Sequence, residues 1–237
     1  MRRIRLTTTP AVLFGLMMVI ALILFLPMRL ALGWAGLADE GFAARSVSGS
    51  VWAGRLSEAQ FGDLALGSLD AGVSPLALLI GRARVSLRGR GGDLHGTITL
   101  SRHSQGVDDL TATLPTGRVF APLPVTALLL EDVTVHFTDA TCDKADGRVR
   151  ATLVGEAGGI GLPPSVSGTA RCDGGALLLP LASQAGTESV QLRITGEGRY
   201  TAVLQIVPAD PTAAQRLAAS GFIATAQGYR LSIEGSF

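Results

Sequence analysis

Aromatic side chains are scarce in this chain: eight Phe, two Tyr and two Trp among 237 residues. That scarcity argues against a surface that stacks nucleic-acid bases and against the aromatic girdles of an outer-membrane barrel. Charge is sparse too, at 16% of residues, and nearly balanced, with a formal net charge of +1. Such a balance supplies no strong electrostatic attraction for nucleic acid, and no nucleic-acid partner is expected. His95, His103 and His136 are the only histidines, and none has the i, i+4 spacing of a helical metal pair. His95 and His136 fall on the polar faces of alternating segments and read as solvated. Asp139, Asp143 and Asp146 surround Cys142 at spacings foreign to a calcium loop and read as a turn. There is no G-x-S-x-G elbow, no phosphate loop and no G-x-G-x-x-G after a strand. These absences predict a chain that is not an enzyme and holds no metal or cofactor.

Long hydrophobic runs are missing as well, with one exception. Arg2, Arg3 and Arg5 precede an uncharged run from Ala11 to Met28. As one helix it would rise about 27 Å, close to the roughly 30 Å of a hydrocarbon core. The arginines predict a cytoplasmic N-terminus over residues 1–9, a single transmembrane helix over 10–33 and an exported remainder. Arg29 is placed to snorkel to the far interface, and Trp34 fits an interfacial belt. The run exceeds the 7–15 residues of a signal-peptide core, which favours a retained anchor over a cleaved leader ending at Ala31–Gly33. The two cysteines, Cys142 and Cys172, lie in the exported part, where an oxidising compartment favours a disulfide between them. The alternative is two buried thiols.

What the exported part does have is glycine, 30 residues in all, and a period of two. Tyr200, Ala202, Leu204 and Ile206 alternate with polar neighbours, and so do Tyr229, Leu231 and Ile233. Val133, Val135 and Phe137 likewise oppose Thr134, His136 and Thr138. This is the pattern of a sheet with one packed and one wet face. Gly-rich turns at 90–93, 145–147, 173–175 and 196–198 predict hairpins in an antiparallel, curved, mainly β body. Two short helices interrupt it. Residues 74–81 open on Ser74 and Pro75 and stop at Gly81, and residues 210–221 open on Asp210 and Pro211 and stop at Gly221. Prolines over 115–125 predict a linker between two β halves, 40–114 and 126–237. Arg82, Arg84, Arg88 and Arg90 share one parity opposite Val85 and Leu87. That face reads as solvated, with contact to anionic lipid headgroups or an acidic partner as the alternative.

The segment S-V-S-G-S-V-W-A-G after the hydrophobic run supplies Val47, Gly49, Val51, Trp52 and Gly54 in the pattern V-x-G-x-V-W-x-G. Further on, Ser74, Pro75, Leu76, Leu78, Leu79 and Gly81 give S-P-L-x-L-L-x-G. In this order and spacing the chain resembles the type II secretion system protein N family, also called general secretion pathway protein N. It departs from the family in carrying Leu-Asp-Ala-Gly-Val before Ser74, where a Trp is common. From the residues themselves, Gly49 and Gly54 are expected to bracket a short strand, with Trp52 a buried packing anchor. The motif reads as a fold signature. The resemblance implies an accessory component of the machine that moves folded proteins from the periplasm across the outer membrane of a Gram-negative cell. Its chain would be single-pass in the inner membrane with its bulk in the periplasm. Its partners would be other secretion subunits, in the inner-membrane platform or the secretin, and membrane lipid through the anchor. The family also looks related to AsmA-like proteins, so a lipid-binding or lipid-transfer groove is an alternative. An outer-membrane β-barrel, suggested by the alternating C-terminal strand ending in Phe237, is a weaker one.

Overall fold

A computed structural model describes residues 9–34, 36, 41–62, 64–116, 120–121, 123–157 and 159–236. The arginines at 2, 3 and 5, part of the expected linker and Phe237 lie outside the described residues. Two helices, α1 (Thr9–Leu24) and α2 (Met28–Trp34), precede three strands, β1 (Phe42–Ser50), β2 (Ala53–Phe61) and β3 (Leu64–Val73). The one-turn α3 (Pro75–Leu79) leads into β4 (Ala83–Gly89), β5 (Leu94–Leu100), β6 (Ser104–Pro115), β7 (Val125–Thr138) and β8 (Thr141–Leu153). Four short strands follow: β9 (Glu156–Ala157), β10 (Ile160–Gly161), β11 (Ser165–Thr169) and β12 (Arg171–Asp173). The chain ends with β13 (Ala176–Ala182), β14 (Glu188–Ile194), β15 (Arg199–Ile206), α4 (Pro211–Ala219), β16 (Ile223–Thr225) and β17 (Gly228–Ser236).

The single transmembrane helix expected over 10–33 is replaced by two helices. The break falls at Phe25–Pro27, because Pro27 has no N–H to give the Ile23 carbonyl and its ring crowds that oxygen. At 16 residues α1 is about 24 Å long. Among the described residues no helix is long and apolar enough to cross a membrane.

Successive antiparallel pairing builds one 15-stranded sheet in the order β1-β2-β3-β4-β5-β6-β7-β8-β11-β13-β14-β15-β17-β16, with β12 paired to β13. From β1 to β8 the order follows the sequence because the connections are short, while β9 and β10 pair only with each other and β17 comes before β16. Residues 115–125 join β6 to β7, which pair from Ser104 opposite Thr138 to Pro115 opposite Ala127, so the sheet continues across the expected linker. Residues 145–147, expected as a turn, run on within β8, and Gly147 (φ +107°) lies against the backbone of β7 at Asp132 and Val133.

Two hydrophobic clusters form. The smaller holds Met28, Leu56, Ala59, Leu69 and Ala71. The larger gathers buried residues of β7 through β15 with Phe120, Leu123, Leu217 and Phe222. In a flat sheet β7 and β15, five strand steps apart, would stand about 24 Å from each other. Here Leu128 of β7 and Ala202 of β15 line the same small apolar cavity of about 10 Å³, so this part of the sheet curls over on itself. Phe120 and Leu123, from the stretch between β6 and β7, fill the interior, and Phe120 meets Tyr200 edge to face at 5.6 Å. Leu217 seats α4 on the core. The sheet path is open, and β4 turns Arg84 and Arg88 outward and half-buries Val85 and Leu87, unlike a lipid-facing barrel wall.

Candidate functional site

The V-x-G-x-V-W-x-G segment is a hairpin tip, not a single strand between glycines. Val47 and Gly49 end β1, Val51 and Trp52 make the turn, and Gly54 lies in β2 opposite Gly49. Gly49 has φ +86°, and a Cβ there would lie 2.4 Å from the Ala53 carbonyl oxygen. Glycine is the residue that accepts both conditions. A Cβ on Gly54 would lie 2.9 Å from Cγ of Met28, which is buried. Close approach at Gly54 therefore lets the start of α2 dock on the sheet.

Four further contacts fix that docking. Trp52 Nε1 donates to the Ile23 carbonyl at 3.1 Å, and the Val51 amide donates to the Leu26 carbonyl at 3.0 Å. Pro27 makes a bridge with Ser50, and Arg29 Nε donates to the Val47 carbonyl at 3.0 Å. The tip thus satisfies carbonyls that the helix break leaves without their usual donors. Trp52 was expected as a buried packing anchor; it is half-buried and acts as a hydrogen-bond donor. The interaction partners Ile23, Leu26 and Met28 escaped the sequence reading. Pro27, inside an otherwise helical apolar run, was the available signal.

The second signature segment lies beside the first. The Val73 amide donates to the Val51 carbonyl at 2.9 Å, and the Ser74 amide to the Arg84 carbonyl at 2.8 Å. Ser74 occupies the N-cap position in an extended conformation, yet its side chain makes no capping bond. Pro75 opens α3, and Gly81 (φ +74°) ends it. Leu76, Leu78 and Leu79 are all exposed, so this motif's leucines do not serve the core. α1, the Val51–Trp52 turn and α3 consequently gather at one end of the sheet.

On the neighbouring strand faces an open cleft of about 580 Å³ is lined by Ser48, Trp52, Arg55, Asp70, Ser86 and Arg88, among others. Asp70 accepts from Arg55 Nε at 3.2 Å and faces Arg90 at 3.8 Å. Arg84 lies 3.9 Å from Asp108, so two of the four stripe arginines are engaged within the sheet. His136 is half-buried, not simply solvated, and its Nε2 donates to Asp108 at 2.7 Å. Burial pushes the Asp108 carboxyl up, but the hydrogen bond and charge of His136, the Thr99 hydroxyl and Arg84 outweigh it and hold the group below the usual carboxylate range. Among the described residues no set of His, Cys, Asp and Glu is arranged to hold a metal. Cys142 and Cys172 form a disulfide with a Cα–Cα distance of 5.6 Å. It lies far along the sheet from the signature segments, in the curled half.

Comparison with known proteins agrees with the signature. The family model for type II secretion system (T2SS), protein N matches residues 40–232. A relative from Vibrio cholerae serotype O1 (strain ATCC 39315 / El Tor Inaba N16961), named type II secretion system protein N, is 25% identical over 147 residues. That alignment covers 57% of this chain and 58% of the relative, so the chain spans little more than half the length of the curated relative it matches. No solved structure matches the chain.

Proposed function

Since the chain belongs to the type II secretion system protein N family, a family of secretion components and not of enzymes, we propose that it is an accessory, inner-membrane-anchored subunit of that apparatus. It acts by binding other subunits, in the inner-membrane platform or the secretin, while folded proteins leave the periplasm across the outer membrane. The observation that carries this reading is the family match from residue 40 to residue 232, which takes in the β body from β1 into β17.

In this reading the whole apolar run from Ala11 to Met28, of which α1 alone is too short to cross, seats the chain in the inner membrane, with the N-terminus cytoplasmic and the β body periplasmic. The side chains of α1 support it: Val12, Leu13, Phe14, Leu16, Met17 and Leu22 are all exposed, which demands an apolar environment. The break at Pro27 lies at the periplasmic surface, clasped by the hairpin tip. The β body divides into halves 40–114 and 126–237 joined over 115–125, a division supported by the two separate hydrophobic clusters. The free ends of the sheet offer edges for subunits that add a strand.

A strain lacking this chain is expected to retain folded secreted enzymes in its periplasm, and the full-length chain to restore their release. Normal secretion in that strain overturns the proposal. Carbonate-washed membranes test the anchor separately: retention in the inner-membrane fraction supports it, and release into the wash removes it.

A further inference from the structure

We infer that α3 is a second lipid contact, in which Leu76, Leu79 and Ile80 enter the membrane surface beside α1 while Arg82 meets anionic headgroups. The inference rests on the reading that α1 lies in the membrane.

Three observations carry it. First, α3 is a one-turn projection whose apolar side chains stand out from the sheet. Leu76 is 75% exposed, Leu79 84% and Ile80 71%, whereas among the described residues of the β body Leu100 is the only exposed leucine outside α3. A cluster of bulky apolar groups at the tip of one connection marks a contact surface and is not ordinary scatter. Second, the fold delivers this tip to the place where α1 ends. Val73, one residue before the Ser74 cap, is hydrogen-bonded to Val51, and Val51 and Trp52 hold the Leu26 and Ile23 carbonyls. Gly72 lies so close to the same turn that a Cβ would be 2.6 Å from the Trp52 carbonyl oxygen. A helix seated in a bilayer therefore brings α3 to the bilayer surface with it.

Third, the charge beside the tip has the sign an anionic surface attracts. Arg82 is exposed and follows Gly81 directly, and its amide bonds back to the Ala77 carbonyl at 3.0 Å, which fixes the Arg82 backbone at the base of the apolar turn. Apolar residues flanked by a cation are the composition of interfacial segments. A partner protein could also cover leucines, but it would not by itself require the cation, the leucines and the end of α1 to share one end of the sheet.

The test uses the full chain in vesicles of phosphatidylethanolamine and phosphatidylglycerol, with a single introduced cysteine carrying the fluorophore NBD. Cys142 and Cys172 are bonded to each other and do not react. Leu79→Cys probes α3, Leu16→Cys probes α1, and Asp93→Cys probes the turn at the opposite end of β4. All three sites are exposed, so labelling spares the core. The expected result is a blue shift at position 79 with loss of intensity to nitroxide lipids labelled near the headgroup, since an interfacial segment lies about 5–10 Å into the boundary. Position 93 stays water-like. Position 79 loses more intensity as the phosphatidylglycerol fraction rises, and Arg82→Gln blunts that gain.

A water-like spectrum at 79 overturns the inference, and quenching at 16 in the same vesicles then leaves the anchor standing. A blue shift at 79 that no nitroxide lipid quenches also overturns it, because α3 is then covered by protein. Quenching at 79 without quenching at 16 overturns the inference at its premise, because α3 then meets lipid without a membrane-seated α1 beside it.

Discussion

In an unbroken helix the Ile23 carbonyl would accept from the amide of residue 27, and proline has no such hydrogen. The indole of Trp52 supplies a donor from the sheet instead, shared with a 3.3 Å contact from the Leu26 amide. Trp52→Phe keeps a ring in the turn and deletes only that donor. It should cost about 0.5–1.5 kcal/mol, the usual worth of one hydrogen bond. The loss should be local, with faster amide exchange at Val51 and over the start of α2 and unchanged exchange in β14 and β15. Exchange unchanged at Val51 would show that the indole N–H has no role at the joint. Asp108 makes a prediction about pH. Its carboxyl is held below the ordinary value, so the folded state gains from its ionisation above the unfolded value near 3.8. That gain disappears as pH falls through the lower folded value. Asp108→Asn should therefore lower the denaturation midpoint at pH 6, with the difference from wild type shrinking well below pH 3.8. A difference that stays constant across this range would remove the carboxylate from the account.

At the scale of elements, α4 shows how little helix is needed when one face is well placed. Asp210 caps it by accepting from the Ala213 amide at 2.7 Å, Pro211 opens it, and Leu217 is fully buried in the larger core. Leu217→Ala removes a side chain that touches the curled sheet and should cost about 2–5 kcal/mol, whereas Gln215→Ala on the exposed side should stay within about 0.5 kcal/mol. Equal midpoints for the two variants would mean that α4 is not part of the cooperative core. Elements of this kind were legible in the sequence because their signals are local. The Asp-Pro opening and Gly221 stop of α4, and the alternation that buries Tyr200, Ala202, Leu204 and Ile206, all reappear in the structure. Thr134 did not follow its alternation. Asp132 takes φ +51° at an irregularity in the β7–β8 register, and Val133, Thr134 and Val135 are all buried. The Thr134 hydroxyl is satisfied by the Asp109 amide, a partner 25 residues away that no local pattern announces. The filling of the core by Phe120 and Leu123 escaped for the same reason, because it depends on which distant segment arrives opposite. The break after α1 had a local signal in Pro27, whereas the hairpin tip that receives its carbonyls did not.

The whole molecule is one sheet in hydrogen bonding with two separate hydrophobic clusters, and the disulfide lies at the larger of them. Cys142 is the second residue of β8 and Cys172 lies in β12, while the smaller cluster around Leu56 and Leu69 draws on β2, β3 and α2. The curled body is closed at that end by backbone approach as well. The Cys142 amide donates to the Gly175 carbonyl at 2.8 Å, and Gly196 of the β14–β15 turn packs so tightly on Ala140 that a Cβ would lie 2.5 Å from its carbonyl oxygen. The bond between Cys142 and Cys172 spans a separation of 30 residues, which on the chain-entropy account contributes about 3–4 kcal/mol. Replacing both cysteines by alanine should lower the unfolding free energy of the curled body by that amount. Amide exchange in β13, β14 and β15 should then quicken, because their protection follows the opening of that unit. Protection in β2 and β3 should hold, since their cluster loses no contact. Equal loss in β2 and β3 would show that the ladder between β5, β6 and β7 couples the two clusters into one folding unit. In that case the hairpin tip and α3 would depend on the disulfide, and reducing conditions would loosen the joint with α1 from the far end of the sheet.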